Sequence, residues 1–456
     1  MGILTARAGG RVVCVWTVLA MSGCERPPRL PDESPWEPAT WAGKPNLPAQ
    51  AAAGGQVAYV KFDLQALQAP ALKRIELPLP DGSSMFVTKT ESASYRDGGY
   101  VIRAKAEGDE ASIVTLAIKN RTLVGDIVTS DGRMYRIDQV DAGLQIVFAL
   151  NPAAFQSESG TLSAAKPPDG VPAMIANLTC EDDKVEVMVV YTEAACAATY
   201  VGNSSGGCTA QAKEVLEDRI QEAVEEANTI FANSLAGPQL SLVHYGSVGE
   251  YVEAATLEGD LTRLRKRGQD EQETLNVSTA YLDEVHDWRD EAGADVVTMI
   301  TRSTNAYPAE QSCGLAMLLP GKFAWFQKDA FTVVPEDCMV GNKSYAHEVG
   351  HILGADHDLA SDRGPSQFTT NIAFVQANPS GPAHPWRTLM AEDTDACVDA
   401  DEEKGCIRLP YFSNFNPAID HHGDRLGTAE TRNSETVGET AETVMKFRTS
   451  KFCSEQ

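Results

Sequence analysis

The chain has 456 residues and a formal net charge of −26. A surface that acidic repels phosphate backbones, which excludes nucleic acid as a partner. The length allows more than one folded unit, and a change of character along the chain marks where they divide.

Arg7 and Arg11 precede VVCVWTVLAM, an uncharged apolar run of ten residues. The run is too short to span a bilayer but has the length of a signal-peptide core. Residues 1–23 are therefore expected to be an export signal. MSGC at 21–24 is similar to a bacterial lipobox, in which Cys24 is lipidated and becomes the new N-terminus. Ordinary cleavage near Ser22, beside the equally small Ala20, is the competing reading. The product is then either lipid-anchored to the cell envelope or secreted, and such an anchor would be its membrane contact, since no later apolar run approaches spanning length. Residues 24–54, dense in proline and polar side chains, are expected to be an extended tether without a core.

From residue 55 to 156, QVAYVKFDL, SMFVTKTES, YVIRAKA, SIVTLAIKN, TLVGDIVTS, MYRIDQV and LQIVFAL alternate apolar and polar residues between Gly and Asp turns. This predicts a β-rich unit. A linker follows at 157–179, containing the Ser-, Gly- and Pro-rich loop SESGTLSAAKPPDGVPA. All eight histidines lie beyond it.

Residues 180–456 read as strands alternating with helices. KVEVMVVYT, QLSLVHYG, ADVVTMI, CGLAMLLPG and AFTVVP are strand runs, while 209–233 and 269–290 are helical. Outside the export signal and Cys24 there are eight cysteines, an even number that in an exported chain reads as four disulfides. Proximity suggests Cys196 with Cys208, Cys313 with Cys338 and Cys397 with Cys406, leaving Cys180 and Cys453. A structural zinc site is the alternative, but no CxxC pair occurs.

Within this unit stands HEVGHILGADHD, residues 347–358. Residues four apart lie on one helix face, so His347 and His351 point the same way. Their separation suits zinc. Glu348 is carried to the edge of that face, near the metal, where a general base belongs. Gly354 has no Cβ and can take the left-handed conformation that ends a helix, returning His357 as a third ligand. Three protein ligands leave one position for water, as in a catalytic rather than a structural zinc site. His244, His286, His384, His421 and His422 fit no ligand pattern and read as surface or packing residues.

This eleven-residue pattern resembles that of the metzincin metallopeptidases. The later WRTLMAED supplies a counterpart of their methionine turn, with Met390 as the floor beneath the zinc. Asp358, directly after the third histidine, is similar to the reprolysin and adamalysin branch. WRTLMA and RLPYFSNFNP are similar to segments of bacterial reprolysin-like and peptidyl-Asp metalloendopeptidases. The chain departs from the pattern in MAED and in SNFNP, and the tyrosine two residues after the methionine in some branches is replaced by Glu392, so no tyrosine ligand is expected.

The resemblance implies an α+β fold: a twisted five-stranded mixed sheet with helices, and a small irregular C-terminal subdomain beyond His357. It implies an edge strand at CGLAM that binds extended peptide substrate. It makes residues 55–156 a propeptide candidate, with a permanent spacer domain as the alternative. This unit has no cysteine or histidine to offer a zinc ion, so inhibition would need a carboxylate or a filled cleft.

The reaction expected is peptide-bond hydrolysis by zinc-activated water, with Glu348 as general base. Arg387 could meet an acidic substrate side chain, or hold its own turn by an ion pair. The acidic stretch EDTDACVDADEEKGC at 392–406 could hold calcium, but it lacks ordered ligand spacing and reads rather as a solvated loop. The rival from another class is a surface binding or adhesion lipoprotein that keeps the fold without turnover.

Overall fold

The computed structural model describes residues 34–451 apart from 53–54, 96–97, 159, 165–183, 203–205, 267–281, 303, 305–311, 362, 381–383 and 393–405. The expected export signal and Cys24 therefore lie outside the described residues, as does nearly all of the acidic stretch considered for calcium. Among the described residues no helix is long and apolar enough to cross a membrane.

The first unit is a nine-stranded antiparallel sheet. Its strands are β1 (Trp36–Pro38), β2 (Val57–Phe62), β3 (Arg74–Pro78), β4 (Ser84–Ser94), β5 (Tyr100–Ala106), β6 (Ile113–Lys119), β7 (Thr122–Val128), β8 (Met134–Asp141) and β9 (Leu144–Leu150). They lie in the order β1-β2-β9-β8-β7-β6-β5-β4-β3. Each alternating stretch of the sequence forms a strand, because alternation puts Val87, Ile102, Leu116, Ile127 and Ile137 on one buried face. β3 is not among the strands expected from the sequence; it is an edge strand, where its terminal Pro78 is tolerated. The two edges approach each other, since the Trp36 indole of β1 donates to Glu76 O of β3 at 2.9 Å.

β1 also corrects the expected tether. Residues 34–52 are packed rather than extended in solvent: Trp41 stands 5.9 Å from Tyr59, and Asn46 N donates to Val201 O at 2.7 Å. The proline-rich composition masked Trp36, Trp41 and Leu47, whose apolar area outweighs the cost of ordering the segment.

The second unit is built on a six-stranded mixed sheet in the order β10-β14-β15-β13-β11-β12. The strands are β10 (Leu162–Ser163), β11 (Val185–Tyr191), β12 (Leu240–Ser247), β13 (Val296–Thr301), β14 (Leu315–Leu318) and β15 (Phe331–Pro335). β12, β11, β13 and β15 run parallel, and β14 is antiparallel to β15. The sheet thus exceeds the expected five strands by one. The extra strand, β10, belongs to the linker and pairs parallel with β14, placing Leu162 opposite Met317 and Ser163 opposite Leu318.

The long helix Ala210–Asn233, capped by the Thr209 hydroxyl, follows the predicted span. Leu216, Ile220, Ala223, Ala227 and Ile230 face the second core. Its opposite side lies under β5, β6 and β7 of the first sheet. There apolar contacts of Val101, Ile113, Ala117 and Val124 are joined by ionic ones: Arg136 donates to Asp126 at 2.7 and 2.8 Å, and Arg219 pairs with Asp126, Asp138 and Glu222. Of the helix expected at 269–290, Asp283–Ala292 is helical, and Leu257–Arg265 is a helix not anticipated. Beyond His357 come short strand pairs and the helix Asn433–Val444.

Two disulfides join expected partners, Cys196 with Cys208 and Cys313 with Cys338. Cys406 is also disulfide-bonded. Cys397, Cys180 and Cys453 lie outside the described residues.

Candidate active site

The site helix Ser344–Ile352 is fully buried, and its sequence is apolar wherever it is not chemical: Val349 and Ile352 anchor it in the second core. His347 and His351 project from the same face, one turn apart. Gly354 ends the helix with φ +82, a left-handed conformation that a residue with a Cβ adopts only under strain. The chain then turns back and brings His357 over the other two.

The three Nε2 atoms converge: His351 to His347 is 3.0 Å, and His357 lies 3.1 Å from each. Tetrahedral ligands about 2.0–2.1 Å from a zinc ion stand roughly 3.3 Å apart, so the triangle is nearly of the required size. Each opposite nitrogen has its own partner: His347 Nδ1 meets Leu389 O at 3.1 Å, His351 Nδ1 meets Ala355 O at 2.8 Å, and His357 Nδ1 lies 3.0 Å from Glu392 Oε1. Such anchoring turns the remaining lone pairs inward, where a cation would satisfy all three. Burial, and Arg408 near His347, hold His347 and His351 well below the ordinary imidazole range, so the rings are neutral and able to ligate. Among the described residues this is the one cluster of three or more His, Cys, Asp or Glu side chains with metal-ligating geometry.

Glu348 is buried beside the triad, and neither carboxylate oxygen has a hydrogen-bond partner. Burial, with Glu158 nearby, raises its pKa well above the usual carboxylate range. The side chain runs against the start of β14: a Cβ on Gly314 would lie 2.2 Å from Glu348 Oε1, so glycine there gives the carboxylate its room.

Met390 is buried beneath the site helix, its Sδ 2.9 Å from where a Cβ of Gly350 would lie. Asp358 points away from the histidines and ties the turn together, its Oδ2 accepting from Glu392 N at 3.0 Å and from the Ser361 hydroxyl at 2.9 Å. Arg387 is nearly buried and donates to Ala391 O, across the turn that carries Met390. The remaining histidines stand apart from the triad: His286 meets Leu264 O at 3.0 Å, and His421 packs on Trp386.

Three contributors escaped the sequence reading. Glu392, noted there only as a departure from the usual turn, supports His357. Arg408 opens the RLPYF stretch; its guanidinium donates to Leu389 O at 2.8 and 2.6 Å and lies against the His347 ring. Glu158, from the linker, is buried against Arg408. Only Glu392 had a local signal, an acidic residue two places after the methionine.

A family model described as metallo-peptidase family M12 matches residues 181–402. Among curated proteins, a peptidyl-Asp metalloendopeptidase of Stenotrophomonas maltophilia strain R551-3 is 30% identical over 404 residues, covering 85% of this chain and 83% of that protein. Its namesake in strain K279a is 29% identical with the same coverage. One from Xanthomonas campestris pv. campestris is 28% identical over 418 residues, covering 86% and 85%.

Proposed function

We infer, from the premise that this chain belongs to the M12 metallopeptidases and is a zinc metalloendopeptidase, a metzincin-type mechanism with a preference for acidic residues and a removable β-rich prodomain. The observation that carries the mechanism is the convergence of three individually anchored histidines beside a buried carboxylate that has no other partner. His347, His351 and His357 would hold the zinc. When bound, that ion supplies Lewis acidity to a peptide carbonyl and lowers the pKa of water.

The chain's own residues do the rest. Glu348 takes the proton of the attacking water on a carboxylate oxygen and returns it to the leaving amine nitrogen. Its buried position keeps competing hydrogen bonds away from that oxygen. β14 offers an extended substrate its outer edge, where main-chain hydrogen bonds hold the peptide in place. Glu392 and the carbonyls of Leu389 and Ala355 fix the three rings.

The relatives' name supports a preference for aspartyl peptides. The position of β10 on the β14 edge supports the prodomain reading, since a substrate strand and β10 compete for one place. Export, by secretion or through a lipid on Cys24, fits the N-terminal sequence and the disulfides. A non-catalytic binding lipoprotein would have no use for Glu348. Casein or peptide digestion that stops with a chelator and recovers with zinc tests the reading; material that binds zinc stoichiometrically yet cleaves nothing after prodomain removal would refute it.

A further inference from the structure

The connection leaving the nine-stranded sheet runs through the cleft. Cys313 N donates to Ser157 O at 3.1 Å, and five residues later β10 is paired on β14. Between these two attachments Glu158 points down into the second unit. Its Oε1 accepts from the Ser344 hydroxyl at 2.8 Å, from Asn342 Nδ2 at 3.3 Å and from Arg408 Nη1 at 2.5 Å. Its Oε2 is buried with no hydrogen-bond partner. The Glu158 side chain is 1% exposed and that of Arg408 5%. All three donors belong to the second unit, and Arg408 also touches His347, so the carboxylate seat adjoins the histidine triad.

We propose that Arg408, with Asn342 and Ser344, is the pocket that reads the acidic side chain of the substrate, and that Glu158 sits there in the uncut chain as a substrate mimic. This rests on the endopeptidase reading and deepens it. A buried guanidinium needs an anionic partner, and breaking such a pair leaves an uncompensated charge. Once the segment carrying Glu158 departs, an acidic substrate side chain restores the pair, whereas an amide of the same shape leaves the charge unmatched. The seat opens on a cavity of about 370 Å³ lined by Gln156, Ser157, Asn342, Lys343, Arg387 and Arg408. That space lies between the two units and would join the cleft when they separate. Glu158 is not part of the histidine cluster, so it blocks by filling the seat and the β14 edge rather than by ligating the metal.

The test uses the full-length chain in a Glu348→Ala background, which removes turnover, titrated with a labelled peptide carrying one aspartate and with its asparagine counterpart. Glu158→Ala should bind the aspartate peptide about 30-fold tighter than its parent does, and by a similar factor tighter than the asparagine peptide. Adding Arg408→Gln should erase both differences while elemental analysis shows unchanged zinc content. Equal affinity for the two peptides in Glu158→Ala overturns the proposal, and this arm decides even if Arg408→Gln fails to fold. Discrimination that persists in a zinc-replete Arg408→Gln protein overturns it equally. Failure of the underlying reading looks different: the processed wild-type enzyme would cleave neither peptide, whatever their binding.

Discussion

Glu392 Oε1 lies 3.0 Å from His357 Nδ1, two residues beyond the methionine under the site helix. The third histidine stands outside the helix that holds the first two, so its ring needs this external support. Truncation to Glu392→Ala should weaken zinc binding about 10- to 100-fold. Competition with a chromogenic chelator measures it; unchanged affinity would leave His357 oriented by its loop alone.

Glu348→Ala should keep stoichiometric zinc and lose cleavage by a factor of about 10² to 10⁴, the usual contribution of a positioned base. Single-turnover kinetics with parallel metal analysis separates this from a collapsed site. A variant that cleaves at the wild-type rate removes Glu348 from the proton transfer.

Gly314→Ala tests the same carboxylate from the other side. The added methyl would stand 2.2 Å from Glu348 Oε1 and must displace it. The expected loss in kcat is about 100-fold, with zinc content and overall fold retained. Wild-type kcat would mean that the carboxylate has more freedom than its buried position indicates.

Stability of the full-length chain should fall as pH rises. Glu226 is buried and Glu336 partly buried near the contact of the two units, Glu336 beside Asp337, Asp138, Arg136 and Arg219, Glu226 beside Lys343, Asp126 and Arg136. Burial is the main cause that pushes them up to about 8 and about 7, from an ordinary 4.5. A carboxyl raised on folding favours its protonated form there, so the folded state carries no penalty below the ordinary value and the full penalty above the raised one. The Tm should therefore decline by several degrees between about pH 5 and pH 8. Glu336→Gln should flatten that slope; an unchanged slope assigns the titration elsewhere.

The sequence carried the parts of the site that are local. His347, His351 and His357 fall within one helical turn and its reversal, so spacing alone brings them together, and the Gly354 conformation is the one the pattern requires. Most strands of both sheets were legible because alternation and buried apolar runs are themselves periodic, whereas the short edge strands β1, β3 and β10 carry too few residues to show a period. What stayed hidden is long-range: Glu158 and Arg408 meet across 250 positions, and nothing in the neighbours of either announces the other. The packing of residues 34–52 was hidden for another reason, since averaged composition counts prolines and two tryptophans together, while one well-seated indole decides the outcome.

The nine-stranded sheet meets the long helix through ion pairs, Arg219 with Asp126 and Asp138 and Glu225 with Arg103, beside the apolar side chains of Val101, Ile113, Ala117 and Val124. Were the sheet removed as proposed, the freed surface would be a mosaic, its charges taken up by water and its small apolar patch left as the one place where the product could self-associate.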